Sequence, residues 1–208
     1  MTMYQQDTLI ENLLSQTETL LKKAIVNIHI EWKLIPYSQF ALRPSPESWS
    51  ANECLQHLNS DGRYYLLAIE KALNRSRDNE PATQFSTGWL GVYFTKLMMP
   101  AADGKLSKKM KTPKGHSPKT IIESHLAISE FIDQQEKLLV LLADAKKFDL
   151  NKVKLTISIA PFIKLKLGDV LMFLIAHQVR HRMQAERALA STGVVLEKVK
   201  VFSLTSHS

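Results

Sequence analysis

The chain has 208 residues, 45% of them hydrophobic, with only 7 Gly and 8 Pro, a composition that suits one globular domain spanning 1–208 with an extended loop or two. A single cysteine, Cys54, excludes an internal disulfide and makes a reducing, cytoplasmic location the default expectation. Much of the formal charge of +7 sits in Lys105, Lys108, Lys109, Lys111, Lys114 and Lys119; this stretch has no aromatic residue to stack on bases, so it reads as a solvated basic loop rather than a nucleic-acid surface.

The first residues, Met1-Thr2-Met3-Tyr4-Gln5-Gln6-Asp7, show no basic stretch followed by an apolar one, so no secretory signal is expected. From Thr8 to about Leu34, the residues Leu9, Leu13, Leu20, Leu21, Ala24, Ile25, Ile28 and Trp32 recur at helical spacing and predict a first helix that Pro36 ends. Arg43 to Trp49, with Pro44 and Pro46, is a turn-rich link. Ser50-Ala51-Asn52-Glu53 has the form of a capping box, which starts a second helix near Ala51. Its buried side follows Leu55, Leu58, Tyr65, Leu66, Ile69 and Leu73, and the charged run 74–81 closes it.

Residues 81–118 read as a long irregular segment holding a short apolar patch from Trp89 to Met99 and then the lysine-rich loop, the kind of segment that serves as a wall or lid over a pocket. Ser117-Pro118 suits the cap and first turn of a third helix, which Ile121, Ile122, Leu126, Phe131, Ile132, Leu138, Leu139 and Leu142 carry to about Ala145. Alternation from Val153 to Ile159 predicts a short strand or extended loop. Gly168-Asp169 opens a fourth helix that stops before Gly193, with Asp169 favourable at the positive helix end. Its longest apolar run, Val170 to Ala176, is too short to cross a membrane. Four long helices predict an all-α four-helix bundle with long loops between helices two and three and between three and four.

His177 and His181 stand four residues apart in the fourth helix, a spacing that stacks both rings on one face. That face continues through Val170, Leu174, Gln184 and Ala188, so the histidines interrupt an apolar stripe. His57 sits beside Leu58 at the edge of the apolar stripe of the second helix. Three imidazoles converging from two helices can hold one divalent metal and leave a coordination position open. The residues alone equally allow three core histidines bonded to carbonyls or carboxylates. Gln178, Val179 and Arg180 separate the pair, so the glutamate base of a His-Glu-x-x-His protease is missing and that class is excluded.

Trp49-Ser50-Ala51-Asn52-Glu53-Cys54-Leu55-Gln56-His57-Leu58 together with His177-Gln178-Val179-Arg180-His181-Arg182-Met183-Gln184 resembles the DinB-like superfamily, which includes the YfiT-like metal-dependent hydrolases. Lys109-Met110-Lys111-Thr112-Pro113 is also similar to members of that group, and the resemblance covers roughly Leu9 to Ala190. The resemblance implies a four-helix bundle that holds nickel or zinc on His57, His177 and His181, and frequent homodimers. It also implies a metal-dependent hydrolase or a transferase that uses a low-molecular-weight thiol, acting on a small-molecule substrate.

Among the neighbours, Asp61 lies one turn after His57 and is the candidate for orienting a ligand or serving as a base. Glu53 is better explained as a cap. Cys54 is either a fourth soft ligand or, more commonly for its type, a small buried residue. Arg180 and Arg182 are expected to point away from the histidine face, solvated or salt-bridged. A second function class stays open: a non-catalytic metal-binding or stress-related interaction protein whose histidines are structural.

Overall fold

A computed structural model describes residues 7–76, 80–100, 118 and 123–194 and shows a mostly helical chain. In chain order the elements are β1 (Asp7–Leu9), α1 (Ile10–Asn27), a π-helical turn (Ile28–Trp32), α2 (Tyr37–Phe40), α3 (Ala51–Asn74), β2 (Gln84–Ser86) and α4 (Trp89–Met98). They continue with α5 (Ser124–Ala145), β3 (Lys154–Ile157), β4 (Ala160–Lys166) and α6 (Leu167–Ser191).

The start of α3 is set by chemistry that the sequence shows directly. Ser50 Oγ accepts from the Glu53 amide at 3.2 Å, and Glu53 Oε2 accepts from the Ser50 amide at 3.0 Å. Two of the free amides at the helix start thereby gain a side-chain partner. Arg43 Nε donates to the same carboxylate at 2.8 Å, which ties the preceding link to the helix.

Packing of the long helices is reciprocal: α3 lies against α5 and α6, and α1 lies against the same two helices. Two apolar clusters result. One joins Leu14, Leu21, Tyr65, Ile69, Phe85, Leu150, Leu155, Val170 and Phe173; the other joins Ile28, Trp32, Phe40, Cys54, Leu55, Ala127, Phe131, Ala185 and Leu189. Along α6, the first cluster ends at Ala176 and the second begins at Ala185; along α3, the second ends at Leu58 and the first begins at Tyr65. Both helices therefore change clusters over a short polar interval.

Several elements differ from the sequence-based expectations. The first helix does not begin at Thr8, because Thr8 pairs with Phe85 in the antiparallel β1–β2 ladder. The segment after Pro81 is not simply irregular: it forms β2 and then α4, whose buried Gly91, Phe94 and Met98 face α6. The alternation near Val153 does form the short strand its pattern allowed, β3, which pairs with β4 in a hairpin with an irregular register next to Ile157. α5 begins at Ser124 after an uncapped Glu123, so Pro118 is not its first turn; Ser117 and 119–122 lie outside the described residues, as do the lysine-rich loop up to 117 and Lys119. The β1–β2 pair and β4 add strands beyond the single short strand or extended loop expected within an otherwise helical chain.

α4 approaches the start of α6 closely because Gly91 has no side chain: a Cβ there would lie 2.2 Å from Asp169 Cγ. Asp169 accepts from the Gly88 amide at 3.2 Å through either oxygen, and burial, outweighing that bond and Lys166, pushes its carboxyl up to about 6. Gly91→Ala is expected to lower stability by roughly 1–3 kcal/mol through overpacking, read in chemical denaturation; an unchanged midpoint would contradict the close approach. Ser50→Ala removes one half of the capping box and is expected to cost about 1 kcal/mol in the same measurement.

Candidate metal centre

α3 and α6 cross where both are polar, and the crossing brings His57, His177 and His181 together. One nitrogen from each ring lies within 4.8 Å of the other two. His57 Nε2 and His177 Nε2 are 3.1 Å apart, although 120 positions separate them in the chain. The ring of His181 sits with its centroid 4.5 Å from those of both partners. The three residues are 4%, 5% and 9% exposed, so the rings are withdrawn from bulk water and must find partners inside the protein.

Two tests of fit to a metal can be made on these atoms. Nitrogens about 2.0–2.1 Å from one shared ion lie about 2.9–3.4 Å from each other in octahedral to tetrahedral geometry, and the His57–His177 separation falls in that range. Without an ion, a single proton between those two nitrogens satisfies only that pair. His181 Nδ1 is buried with no hydrogen-bond partner among the described residues, a condition that costs about 1–3 kcal/mol if nothing relieves it. The donor set is three imidazole rings, a type that suits zinc and nickel.

Burial holds the His181 imidazole well below its usual range, and the neighbouring His57 and Arg180 push in the same direction, against a smaller opposing influence from Gln184. A ring that resists protonation keeps its lone pairs, which is what coordination requires.

Asp61 lies beside this cluster and outside the set of mutually close donors. Its Oδ2 is 3.4 Å from His177 Nδ1 and 3.7 Å from His57 Nε2. Burial pushes its carboxyl up to about 7, partly offset by Ser158, whose Oγ approaches Oδ1 at 3.5 Å. A cavity of about 20 Å³, room for roughly one water, lies between Asp61, Gly62, Tyr65, Gln134, His177 and Gln178.

The remaining expectations divide. Glu53 acts as the cap and is held by Arg43. Cys54 is fully buried in the apolar cluster with Trp32 and Phe40, outside the group of donors, and burial raises its thiol far above the usual range. Arg182 pairs with Glu186 at 3.3 Å. Of the two expectations for Arg180, solvated or salt-bridged, the first does not hold: the residue is only 7% exposed, and desolvation lowers its pKa. Arg180 is close enough to His181 to push its pKa down.

Two aromatic walls were not singled out from sequence. Trp49 stacks on His181 at 5.9 Å and 28° and tilts over His57 at 5.2 Å. Phe173 lies parallel to the His177 ring at 5.9 Å and 6°. The signals were present: Trp49 immediately precedes the cap of α3, and Phe173 is one turn before His177.

The depressed His181 gives a pH dependence with a definite sign. Its neutral form is favoured in the folded chain, so this contribution to stability is present above about 6.5 and is lost as the pH falls toward the lowered value, where the unfolded chain binds the extra proton. The buried carboxyls of Asp61 and Asp169, held above their usual range, act with the opposite sign over the same window, so the contribution of His181 is read as a difference: on going from pH 7.5 to 5.5, metal-free His181→Leu should gain thermal stability relative to the parent. An unchanged difference between the two proteins would contradict the assignment.

No curated protein and no solved structure matched the chain in comparison. The family model described as the DinB superfamily matches residues 20–185, a span that takes in α3, α5, both strands of the hairpin and the three histidines. The chain, with its buried histidines from α3 and α6, belongs to the DinB superfamily.

Proposed function

We propose that the chain is a divalent-metal protein of the four-helix-bundle type, a single domain over 1–208, in which His57, His177 and His181 hold zinc or nickel for hydrolysis or thiol transfer. The observation that carries this reading is the convergence of three buried imidazole nitrogens within 4.8 Å, supported by a buried His181 Nδ1 that has no hydrogen-bond partner among the described residues. When bound, the metal supplies Lewis acidity that polarises an electrophile or lowers the pKa of water or a low-molecular-weight thiol.

The protein's own groups do the rest. Trp49 and Phe173 restrict the orientation of the imidazoles and keep bulk water from two sides of the cluster. Asp61, next to His177 Nδ1, is the group proposed to orient that ring and to take up a proton near neutral pH, the range its burial reaches. The nucleophile comes from solvent or cofactor, since Cys54 is buried away from the site. The same reading takes the chain as a cytoplasmic homodimer acting on a small molecule; among the described residues no helix is long and apolar enough to cross a membrane.

A second reading is favoured by one observation: all three rings are less than a tenth exposed and Trp49 covers two of them. On that reading the metal is structural and the chain is a binding or interaction protein without turnover. The two readings share the metal and differ in reaction.

Elemental analysis of untagged protein purified under metal-replete conditions should show about one zinc or nickel per chain, and His177→Ala should lose it. Substoichiometric metal in the parent, or full occupancy in the variant, would overturn the metal site. Turnover of ester and thiol-acceptor substrates by the loaded protein, abolished by chelation and restored by metal, supports the enzyme; metal-dependent stability without turnover supports the structural reading.

A further inference from the structure

We propose that Ser158, in the two-residue turn between β3 and β4, is a positioning residue for the histidine centre and acts through Asp61. The inference rests on the proposed metal site and adds to it a residue from outside the two ligand-bearing helices.

The two carboxylate oxygens of Asp61 face different elements. Oδ2 lies 3.4 Å from His177 Nδ1 on α6, while Oδ1 receives the Ser158 hydroxyl at 3.5 Å from the hairpin. A carboxylate held by one oxygen alone turns about its last side-chain bond, because that torsion has broad wells. Holding the second oxygen removes this freedom. Asp61 then presents a fixed acceptor to His177 Nδ1, which keeps the ring proton on Nδ1 and the lone pair on Nε2. That Nε2 is the atom 3.1 Å from His57 Nε2.

Ser158 is itself held in place. Its amide donates to Tyr65 Oη at 3.0 Å, and its Oγ lies 3.2 Å from the same hydroxyl. Two positions earlier, Thr156 Oγ1 meets Tyr64 Oη at 2.8 Å. Adjacent tyrosines on α3 therefore clamp the hairpin at two points, and Tyr65 is one turn beyond Asp61 on that helix. The turn, the tyrosine and the aspartate form a closed loop of contacts that ends at His177. The hairpin thus contributes to the centre without offering a donor to the ion.

The test is a zinc competition titration with a chromophoric chelator, run on the parent, Ser158→Ala, Ser158→Thr and His177→Ala. The parent should bind one zinc, Ser158→Ala should bind about 10-fold more weakly, the lower end of what losing a ligand-orienting partner costs, and Ser158→Thr, which keeps the hydroxyl, should recover most of the affinity. Thermal unfolding of the metal-free proteins should place Ser158→Ala within a few degrees of the parent, separating positioning from folding. Parent-like affinity in Ser158→Ala, with binding abolished in His177→Ala, would overturn the role of Ser158 and leave the metal site standing. Equal loss in Ser158→Ala and Ser158→Thr would overturn it too, since the hydroxyl would not be the active feature. A parent that binds no zinc would overturn both.

Discussion

Two imidazole nitrogens that are 120 positions apart in the chain meet at 3.1 Å inside a protein interior, and a third ring packs against both. Burying a polar ring without a partner is costly; His57 and His177 meet each other and Asp61, while His181 Nδ1 has no hydrogen-bond partner among the described residues. Much else near the crossing of α3 and α6 serves this constraint. The apolar clusters stop on either side of it, the aromatic rings of Trp49 and Phe173 flank it, and Asp61 sits at its edge.

The polar interval extends beyond the histidines. Asn59 Nδ2 donates to the Ala127 carbonyl at 2.8 Å, Gln134 Nε2 to the Asn59 carbonyl at 3.0 Å, and Gln178 Nε2 to Gln135 Oε1 at 2.7 Å. These bonds tie α3 to α5 and α5 to α6 at the level of the histidines. Each of these side-chain amide nitrogens gains a partner, and each bond restricts the helices from sliding along one another, which would draw the three histidine rings apart. Gly62 permits the same closeness: a Cβ there would meet the Gln134 side chain at 1.9 Å.

Much of this was legible along the chain because it depends on local rules. Helical periodicity located α3 and α6 and placed His177 and His181 on one face, and Ser50 with Glu53 marked the start of α3 through bonds that involve only neighbouring residues. Other features were not legible for an equally physical reason. Thr8 is a strand residue because Phe85 pairs with it, and Ser158 reaches Asp61 from a hairpin turn. Neither partner is within a helical turn of the residue it meets.

The sequence by itself determined which residues could serve the centre: three helical histidines on two apolar seams, a carboxylate one turn from His57, and no base between His177 and His181. Those choices rest on periodicity and residue chemistry, which need only a few adjacent positions. Tertiary structure alone decided that the three rings meet, that Asp61 faces His177 rather than only its helical neighbour His57, and that Ser158 reaches Asp61 from a hairpin. Each of these is a distance between segments far apart in the chain, set by how helices pack and strands pair, and hydrophobic pattern specifies which face is buried without specifying what it is buried against.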